Sequence, residues 1–500
     1  MGLPSTPAAL VWLHQGNSLF MQERYYEAVA SYDRAIALEP GLVAALYNRG
    51  NALLELGLHE EALQSFDRSL ALDTNNADAF NNRGLTLLEL GRREAALTSF
   101  AEVLTLNPLN VDAWVSHGYT LQLLERSAEA IVSCDRALAL RPDSGDALYN
   151  RGNALVSLGR HEEAVDCYAR ALAIKPDDPE VRFNLGLSLL ALGDYARGWP
   201  AFELRMHMGG RRRAFPGPQW HGEDIAGKAI LLHTEQGLGD TLQFCRYVPL
   251  VAARGATVIL EVPGPLERLL SRLPGVSYLV VRGDAIPAFD WHCSLLSLPL
   301  AFGTRLETIP GRAPYLSAEP RQVAVWRERL KELAGLHVGL VWAGEPRHHD
   351  SKAQAVDRRR SVTLQHFAGL AGVTGISLVS LQKGDAAAEA RSLPPGLAVH
   401  DWSDELGDFA DTAALLAALD LVISVDTAVV HLAGGLGKPV WVLSRFDACW
   451  RWLCNRPDSP WYPSARVFGQ PARGDWGSVM DEVARALRQR ISVSPATRQA

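Results

Sequence analysis

The sequence predicts an α-helical solenoid over residues 1–210, followed by an α/β region of two lobes with parallel sheets. Two observations predict this arrangement. A helical pattern recurs at a fixed interval in the first part, and short apolar runs alternate with helical stretches after residue 228. The length agrees with it, because 500 residues exceed what one hydrophobic core usually supports.

The composition indicates a globular protein with no strong positive field. Hydrophobic residues make up 48% and charged residues 21%, and a net charge of −7 would not attract nucleic acid or an anionic membrane. The 6 cysteines include no C-x-x-C pair, which favours reduced thiols over a disulfide framework or a zinc site. The start lacks the features of a signal peptide, and no apolar stretch is long enough to span a bilayer. We therefore expect a cytoplasmic location and no nucleic-acid partner.

The repeated unit of the first part is predicted to be a helical hairpin. The segments "ALEP", "ALDT", "TLNP", "ALRP" and "AIKP" end at the evenly spaced positions Pro40, Thr74, Pro108, Pro142 and Pro176. The prolines stop the second helix. A glycine recurs in phase from Gly16 to Gly186, and a small residue precedes a larger apolar one by four positions, as in Ala62 and Phe66. Small residues let two antiparallel helices approach, and larger ones fill the groove. One hairpin cannot bury its apolar faces, so neighbouring hairpins stack.

This period and pattern resemble tetratricopeptide repeats, of which we count six between about residues 7 and 210. Two positions before the successive repeat glycines stand His14, Asn48, Asn82, Ser116, Asn150 and Asn184. The column resembles the asparagine ladder with which protein O-GlcNAc transferases hold an extended substrate, a task that suits an amide because it both donates and accepts hydrogen bonds. We therefore predict that the four asparagines bind a protein or peptide acceptor on the concave face. The alternative is a solvated polar position that recurs because the repeats duplicate.

The second part is predicted to begin with a linker, since residues 207–220 break the pattern with glycine, proline and arginine. Residues 211–335 would hold the linker and an N-terminal lobe, and residues 336–500 a C-terminal lobe. Two such Rossmann-like lobes are typical of a dinucleotide enzyme or of a GT-B glycosyltransferase. The segment "GLGDTL" supplies two glycines of G-x-G-x-x-G but has Leu242 at the third, which weakens the dinucleotide alternative. Glu261 keeps that alternative open, because it follows the second strand as the acidic partner would.

Several segments together resemble the tetratricopeptide-linked glycosyltransferases related to the heptosyltransferase family (family 9). They are "GLGDTLQFCRYVPL", "VGLVWAG", "RRRS", "SLQKG", "LDLVISVDTAVVHLAGGLGKPVWVL", "WRWL" and "SPWYP", and the resemblance covers residues 190–490. It implies a GT-B fold and inverting transfer from a nucleotide-diphosphate sugar. It also implies that Asp240 is the base that takes the proton of the acceptor hydroxyl. The alternative is that Asp240 only caps a helix beginning at Thr241.

The C-terminal lobe is expected to bind the donor. The N–H groups near Thr427 and Ala428 open a helix, whose end attracts phosphate. Asp426 is placed to accept from sugar hydroxyls, and His431 lies one turn further along the same face. The other predicted donor-binding residues are Gly239, Arg360 and Lys383. The two cations would neutralise the leaving diphosphate without a metal ion, and either of them could instead be a surface charge.

One departure from the family pattern leaves another function open. Glu345 stands where the family pattern has asparagine, and a carboxylate there would repel a diphosphate. The alternative function is therefore a non-catalytic interaction scaffold with a degenerate transferase domain. A third possibility keeps the enzyme but gives it a glycan or lipid acceptor. The aromatic residues between Trp441 and Trp476 are expected to serve mostly in core packing, although ring faces can also stack on a base or a sugar.

Overall fold

A computed structural model describes residues 6–208, 213–311, 314–346, 351–454 and 456–493, without the side chains of residues 351–353 and 493. The chain divides into two compact units, Met1–Val181 and Arg182–Ala500. Each unit is considered by itself.

The first unit is a stack of antiparallel helices, each of which packs against the next along the chain. Its helices are α1 (Pro7–Met21), α2 (Tyr25–Leu38), α3 (Val43–Glu55), α4 (His59–Leu72), α5 (Ala77–Glu89), α6 (Arg93–Leu106), α7 (Val111–Leu123), α8 (Ser127–Leu140), α9 (Gly145–Ser157) and α10 (His161–Ile174). The period of the sequence therefore corresponds to one helical hairpin, and the predicted solenoid is confirmed.

Close approach within a hairpin explains the recurring glycine. A Cβ atom at Gly50 would lie 2.6 Å from Cε1 of Phe66, and one at Gly84 would lie 2.7 Å from Cε1 of Phe100. The aromatic ring of the second helix thus occupies the space that any other residue of the first helix would need. Both rings are fully buried.

The second unit contains two sheets whose strand pairs are all parallel in the described residues. The helices and strands that precede the second sheet are α11 (Pro179–Ala191), α12 (Tyr195–Phe202), β1 (Ala229–His233), α13 (Leu238–Phe244), α14 (Val248–Ala252), β2 (Thr257–Val262), α15 (Glu267–Leu270), β3 (Tyr278–Val281), β4 (Trp291–Ser294), α16 (Leu298–Ala301) and α17 (Pro320–Leu330). The strand order of this sheet is β3-β2-β1-β4.

The second sheet follows with the order β10-β9-β8-β5-β6-β7. Its elements are β5 (Leu336–Val341), α18 (Ser351–Arg360), β6 (Ile376–Ser380), β7 (Val399–Asp401), α19 (Phe409–Ala418), β8 (Leu421–Val425), α20 (Ala428–Gly435), β9 (Val440–Ser444), β10 (Ala465–Gly469) and α21 (Trp476–Val493). The predicted parallel α/β region is confirmed.

Helix α12 packs into the α/β core of this unit. The Trp199 Nε1–H donates to the carbonyl oxygen of Thr304 at 3.0 Å, and the Trp461 Nε1–H donates to the hydroxyl of Tyr195 at 2.9 Å. The last predicted hairpin therefore contributes, from Arg182 onward, to the core that holds the two sheets.

The crowd of C-terminal aromatic residues is core packing, as expected. The core with Trp199 also includes Trp450, Trp452, Trp461 and Tyr462, whereas Trp441 and Trp476 belong to a second buried cluster beside the second sheet. No helix within the described ranges combines the length and the apolar character needed to cross a bilayer.

Candidate active site

Asp240 lies at the carboxyl end of the first sheet, in the first turn of α13. Helix α13 begins at Leu238, three residues earlier than predicted, because Gly237 is still extended (φ −74°, ψ 172°) and acts as the N-cap. Oδ2 of Asp240 accepts a hydrogen bond from the N–H of Gly237 at 3.1 Å. The expected N-cap role is therefore corrected, since Asp240 is the third residue of the helix and satisfies the N–H of the N-cap residue.

The other oxygen of Asp240 forms an ion pair with Arg451. Both side chains are largely buried, with 17% of Asp240 and 12% of Arg451 exposed. The guanidinium also donates through Nε to Oε1 of Gln243 at 2.7 Å and lies 4.4 Å from the ring centroid of Trp450. Burial is the largest single influence and acts to lower the pKa of Arg451, but the facing carboxylate of Asp240, together with Cys449 and Asp426, outweighs it, and the net shift is upward. The candidate base thus faces a buried permanent cation.

Gly239 brings α13 against α20 and so joins the two motifs that the sequence singled out. A Cβ atom at Gly239 would lie 2.8 Å from Cδ2 of His431 and 3.4 Å from Cα of Ala428. The turn that carries Asp240 is therefore in contact with the start of the helix in the second lobe.

His431 is buried beneath this contact. Its Nδ1 lies 2.8 Å from the hydroxyl of Tyr462, and its ring stacks on Trp452 with centroids 5.7 Å apart and planes at 17°. Burial, together with the nearby cation of Arg451, holds the pKa of His431 well below its ordinary value. The imidazole is consequently neutral at pH 7, so it offers a hydrogen bond and not a positive charge.

The start of α20 is not capped by the side chain that precedes it. Thr427 is extended, and its hydroxyl lies 3.0 Å from that of Ser424 and does not bond to the N–H groups of the first turn. Arg360 lies next to this end, because its Nη1 donates to the carbonyl oxygen of Asp426 at 3.1 Å. Its Nη2 pairs with Asp357 at 2.9 Å. The structure thus brings Arg360, Asp426, Thr427 and Ala428 together.

Lys383 is placed elsewhere on the same sheet. It follows β6, and its Nζ donates to the carbonyl oxygen of Ser403 at 2.7 Å, beyond the edge strand β7. Strand β5 separates β6 from β8, the strand that leads to α20. This contact therefore ties Lys383 to the edge of the sheet and not to the helix start.

The neighbouring Gln382 is a positioning residue that sequence reasoning missed. It is buried, and its Oε1 accepts from the N–H groups of Trp342 and Ala343 at 3.0 and 2.9 Å. The amide therefore fixes the loop after β5, which leads to the exposed Glu345. The sequence feature that could have indicated this role is a glutamine directly after an apolar strand.

The asparagine column of the repeats is partly engaged in internal contacts. Nδ2 of Asn48 donates to Oδ1 of Asn17, and Nδ2 of Asn82 donates to Oδ1 of Asn51, both at 2.8 Å. These bonds link the first helices of adjacent repeats and use part of the hydrogen-bonding capacity that a ladder would offer to a peptide. Asn17 and Asn51 were missed, although they recur with the same period as the glycines.

The remaining members of the column differ from these two. Asn150 is 7% exposed and lines a cavity of about 380 Å³ between α5, α7 and α9. Ser116 lines the same cavity. Asn184 lies in α11, within the second unit.

Within the described ranges, no group of three or more histidine, cysteine, aspartate or glutamate side chains is arranged to hold a metal ion.

Comparison with known families identifies the class of the first part. The tetratricopeptide repeat family matches residues 13–77, 81–147 and 133–166, and a related TPR repeat family matches residues 152–193. The N-terminal region therefore consists of tetratricopeptide repeats.

Among individual proteins, the chain is 31% identical over 319 residues to Protein FlbA of Caulobacter vibrioides, a match that covers 58% of this chain and 52% of FlbA. The chain thus spans about half the length of this curated relative. Two solved structures are also similar. YrrB, titled a TPR protein with an unusual peptide-binding site, is 25% identical over 35% of this chain and 89% of its own, with a TM-score of 0.33. MamA of Desulfovibrio magneticus RS-1 is 21% identical over 35% of this chain and 98% of its own, with a TM-score of 0.34.

Proposed function

We propose that this chain is a GT-B glycosyltransferase that moves a sugar, with inversion, from a nucleotide-diphosphate donor to a protein acceptor held by the repeats. The observation that supports it most is the contact at Gly239, because the turn that carries Asp240 lies against the start of α20. A base and an anion-binding helix end are the two parts that a single-displacement transfer requires.

In this mechanism the chain's own residues divide the work. Asp240 accepts the proton of the acceptor hydroxyl while that oxygen attacks the anomeric carbon, and the nucleotide diphosphate leaves from the opposite face. The N–H groups at the start of α20 and the guanidinium of Arg360 stabilise the negative charge that develops on the leaving group. The neutral imidazole of His431, covered by Gly239 and paired with Tyr462, supports the start of α20 from beneath and adds no charge to it. The proposal requires no metal ion and places the reaction in the cytoplasm.

Arg451 extends this proposal. The cation pairs with Asp240 in the structure and is oriented by Gln243. A bound diphosphate would compete with Asp240 for the guanidinium, so donor binding would free the carboxylate to take a proton. The predicted base would then become active only after the donor is in place.

A panel of donors tests the proposal. Purified chain is incubated without metal with ADP-, UDP-, GDP- and dTDP-sugars, and nucleotide binding and nucleotide release are measured separately. Binding of one nucleotide, together with its release in the presence of an acceptor peptide, supports the proposal. Failure of all four to bind would contradict the donor site.

One observation favours the non-catalytic scaffold as a second candidate. Both carboxylate oxygens of Asp240 already have partners, one in Gly237 and one in Arg451. If this arrangement persists with nucleotide bound, the group acts in stability alone. A chain that binds peptide and nucleotide but releases nothing from any donor would fit this second candidate.

A further inference from the structure

The cavity in the first unit lies where one position of the repeats changes from asparagine to an apolar or aromatic residue. At this position the first helices of the first five of the six repeats carry Asn17, Asn51, Leu85, Tyr119 and Asn153. In repeats one and five this asparagine accepts a hydrogen bond from the tyrosine that packs on the repeat glycine, Tyr32 to Asn17 at 3.0 Å and Tyr168 to Asn153 at 2.7 Å. In repeats three and four the packing residue is Phe100 or Cys134, which offers no hydroxyl, and the asparagine is replaced by an apolar or aromatic side chain.

The two residues that replace asparagine are exposed, whereas the asparagines at this position in the other repeats are half-buried. Leu85 is 39% exposed and Tyr119 is 43% exposed. They line the cavity of about 380 Å³ together with Leu88, Val115, Leu123 and Tyr149. Ligand pockets begin at about 300 Å³, so this space accommodates one or two bulky side chains. Exposed apolar side chains gathered around a concave space mark a binding site more often than isolated ones do.

The same cavity has an acidic rim. Glu89, at the C-terminal end of α5, and Asp146, in the first turn of α9, both line it and are exposed. Within the part of the chain that the structure describes, neither carboxylate forms an ion pair. Glu89 also lies at the negative end of its own helix dipole, which is unfavourable for a carboxylate. A cation from a partner would pair with Glu89 and offset this unfavourable interaction.

We propose that this cavity is the anchor site for a peptide segment that carries one bulky apolar side chain next to a lysine or arginine. The apolar side chain would enter between Leu85 and Tyr119, and the cation would pair with Glu89 or Asp146. Asn150, buried at the cavity, would hold the peptide backbone by its amide. The inference deepens the proposed function, on which it rests for the role of the peptide as acceptor.

Selection from a phage library of randomised decapeptides tests this proposal on the full chain. We expect enriched peptides to contain leucine, isoleucine, methionine or phenylalanine adjacent to lysine or arginine. A synthetic enriched peptide, followed by fluorescence anisotropy, should bind at least tenfold more weakly to the Leu85→Asn/Tyr119→Asn variant. These substitutions restore the residue found at the same position in other repeats, so the helices should remain folded. Leu106→Asn, at a leucine that is 38% exposed outside the cavity, should bind as the wild type does.

Charge reversal of the two acidic residues at the cavity is the second part of the test. In the Glu89→Lys/Asp146→Lys variant, selection should replace the basic residue by aspartate or glutamate. The proposal is overturned if no decapeptide is enriched, if enriched peptides lack the apolar and basic pair, or if both variants retain the preference and affinity of the wild type.

These outcomes are separable from the fate of the transferase. Peptide selection as predicted without nucleotide release from any donor would overturn the proposed function and leave the anchor site standing. Nucleotide release with no peptide preference would overturn the anchor site alone.

Discussion

Replacing Gly239 by alanine should separate α13 from α20 and so disrupt the candidate site without removing any functional group. The added Cβ would lie 2.8 Å from Cδ2 of His431, whereas ordinary contacts begin near 3.4 Å. The ring cannot easily retreat, because it is 5% exposed and stacks on Trp452. The helices must therefore part by about 0.6–1 Å, and overpacking of this kind costs about 1–3 kcal/mol of stability.

Activity should be lost more severely than stability. A misplacement of about 1 Å at a reacting group can cost about 100-fold in rate, and Asp240 is the residue next to the substitution. Unfolding in urea should be followed by tryptophan fluorescence, which reports mainly on the second unit, since of the 13 tryptophans only Trp12 and Trp114 lie outside it. Nucleotide release from the active donor gives the rate.

Gly237→Ala is the matched control for stability. This residue lies in the same turn, and a Cβ there would be 3.7 Å from Oδ2 of Asp240, an ordinary contact at an ordinary φ of −74°. Its unfolding free energy should stay within about 0.5 kcal/mol of wild type, because the loss of chain entropy in the unfolded state offsets a weaker cap. A Gly239→Ala variant as stable and as active as wild type would refute the contact between the two helices.

Three further predictions concern charge and hydrogen bonding. Arg451→Met should lower the unfolding free energy by about 3 kcal/mol because it leaves the carboxylate of Asp240 buried without its partner, and adding Asp240→Asn should recover part of this loss; strictly additive losses in urea unfolding would contradict the pairing. Burial lowers the pKa of His233 to about 3, so below about pH 6.5 protons bind the unfolded chain preferentially. The stability of the second unit should therefore fall by about 2 kcal/mol between pH 7 and pH 5 through this residue. The same pH dependence of stability in His233→Gln would exclude His233 as its cause. Changing Asn82 and Asn150 together to alanine should weaken peptide capture at least tenfold, measured by anisotropy, and unchanged capture would remove the ladder from the acceptor site.

The solenoid could be predicted from the sequence because its physical cause is periodic. Each glycine that receives a ring, such as Gly50 beneath Phe66, recurs with the hairpin, so one repeating pattern carries both the helices and their packing. The parallel sheets could be predicted for a similar reason, since buried strands are continuous apolar runs.

The candidate site was less accessible to the same reasoning. The start of α13 was placed too late because its N-cap is Gly237, which has no side chain to signal a cap. Arg451 was missed because its partner Asp240 is 211 positions away, and its tryptophan neighbours indicated only core packing. Lys383 follows a strand as predicted, but the strand order carries it to the far side of β5 from α20. Spacing along the chain does not specify such contacts between lobes.

The most direct test of the central claim compares Asp240→Asn with Asp408→Asn. Asp408 is a matched control, because it also caps a helix, accepting from Ala410 at 2.8 Å, and pairs with an arginine, Arg268, at 3.1 Å, with 19% of its side chain exposed. Asparagine preserves shape and capping in both variants but cannot take a proton. If Asp240 is the base, its variant should bind the donor nucleotide and transfer at least about 100-fold more slowly, while Asp408→Asn transfers as the wild type does. Equal transfer rates in the two variants would contradict the assignment of Asp240 as the base.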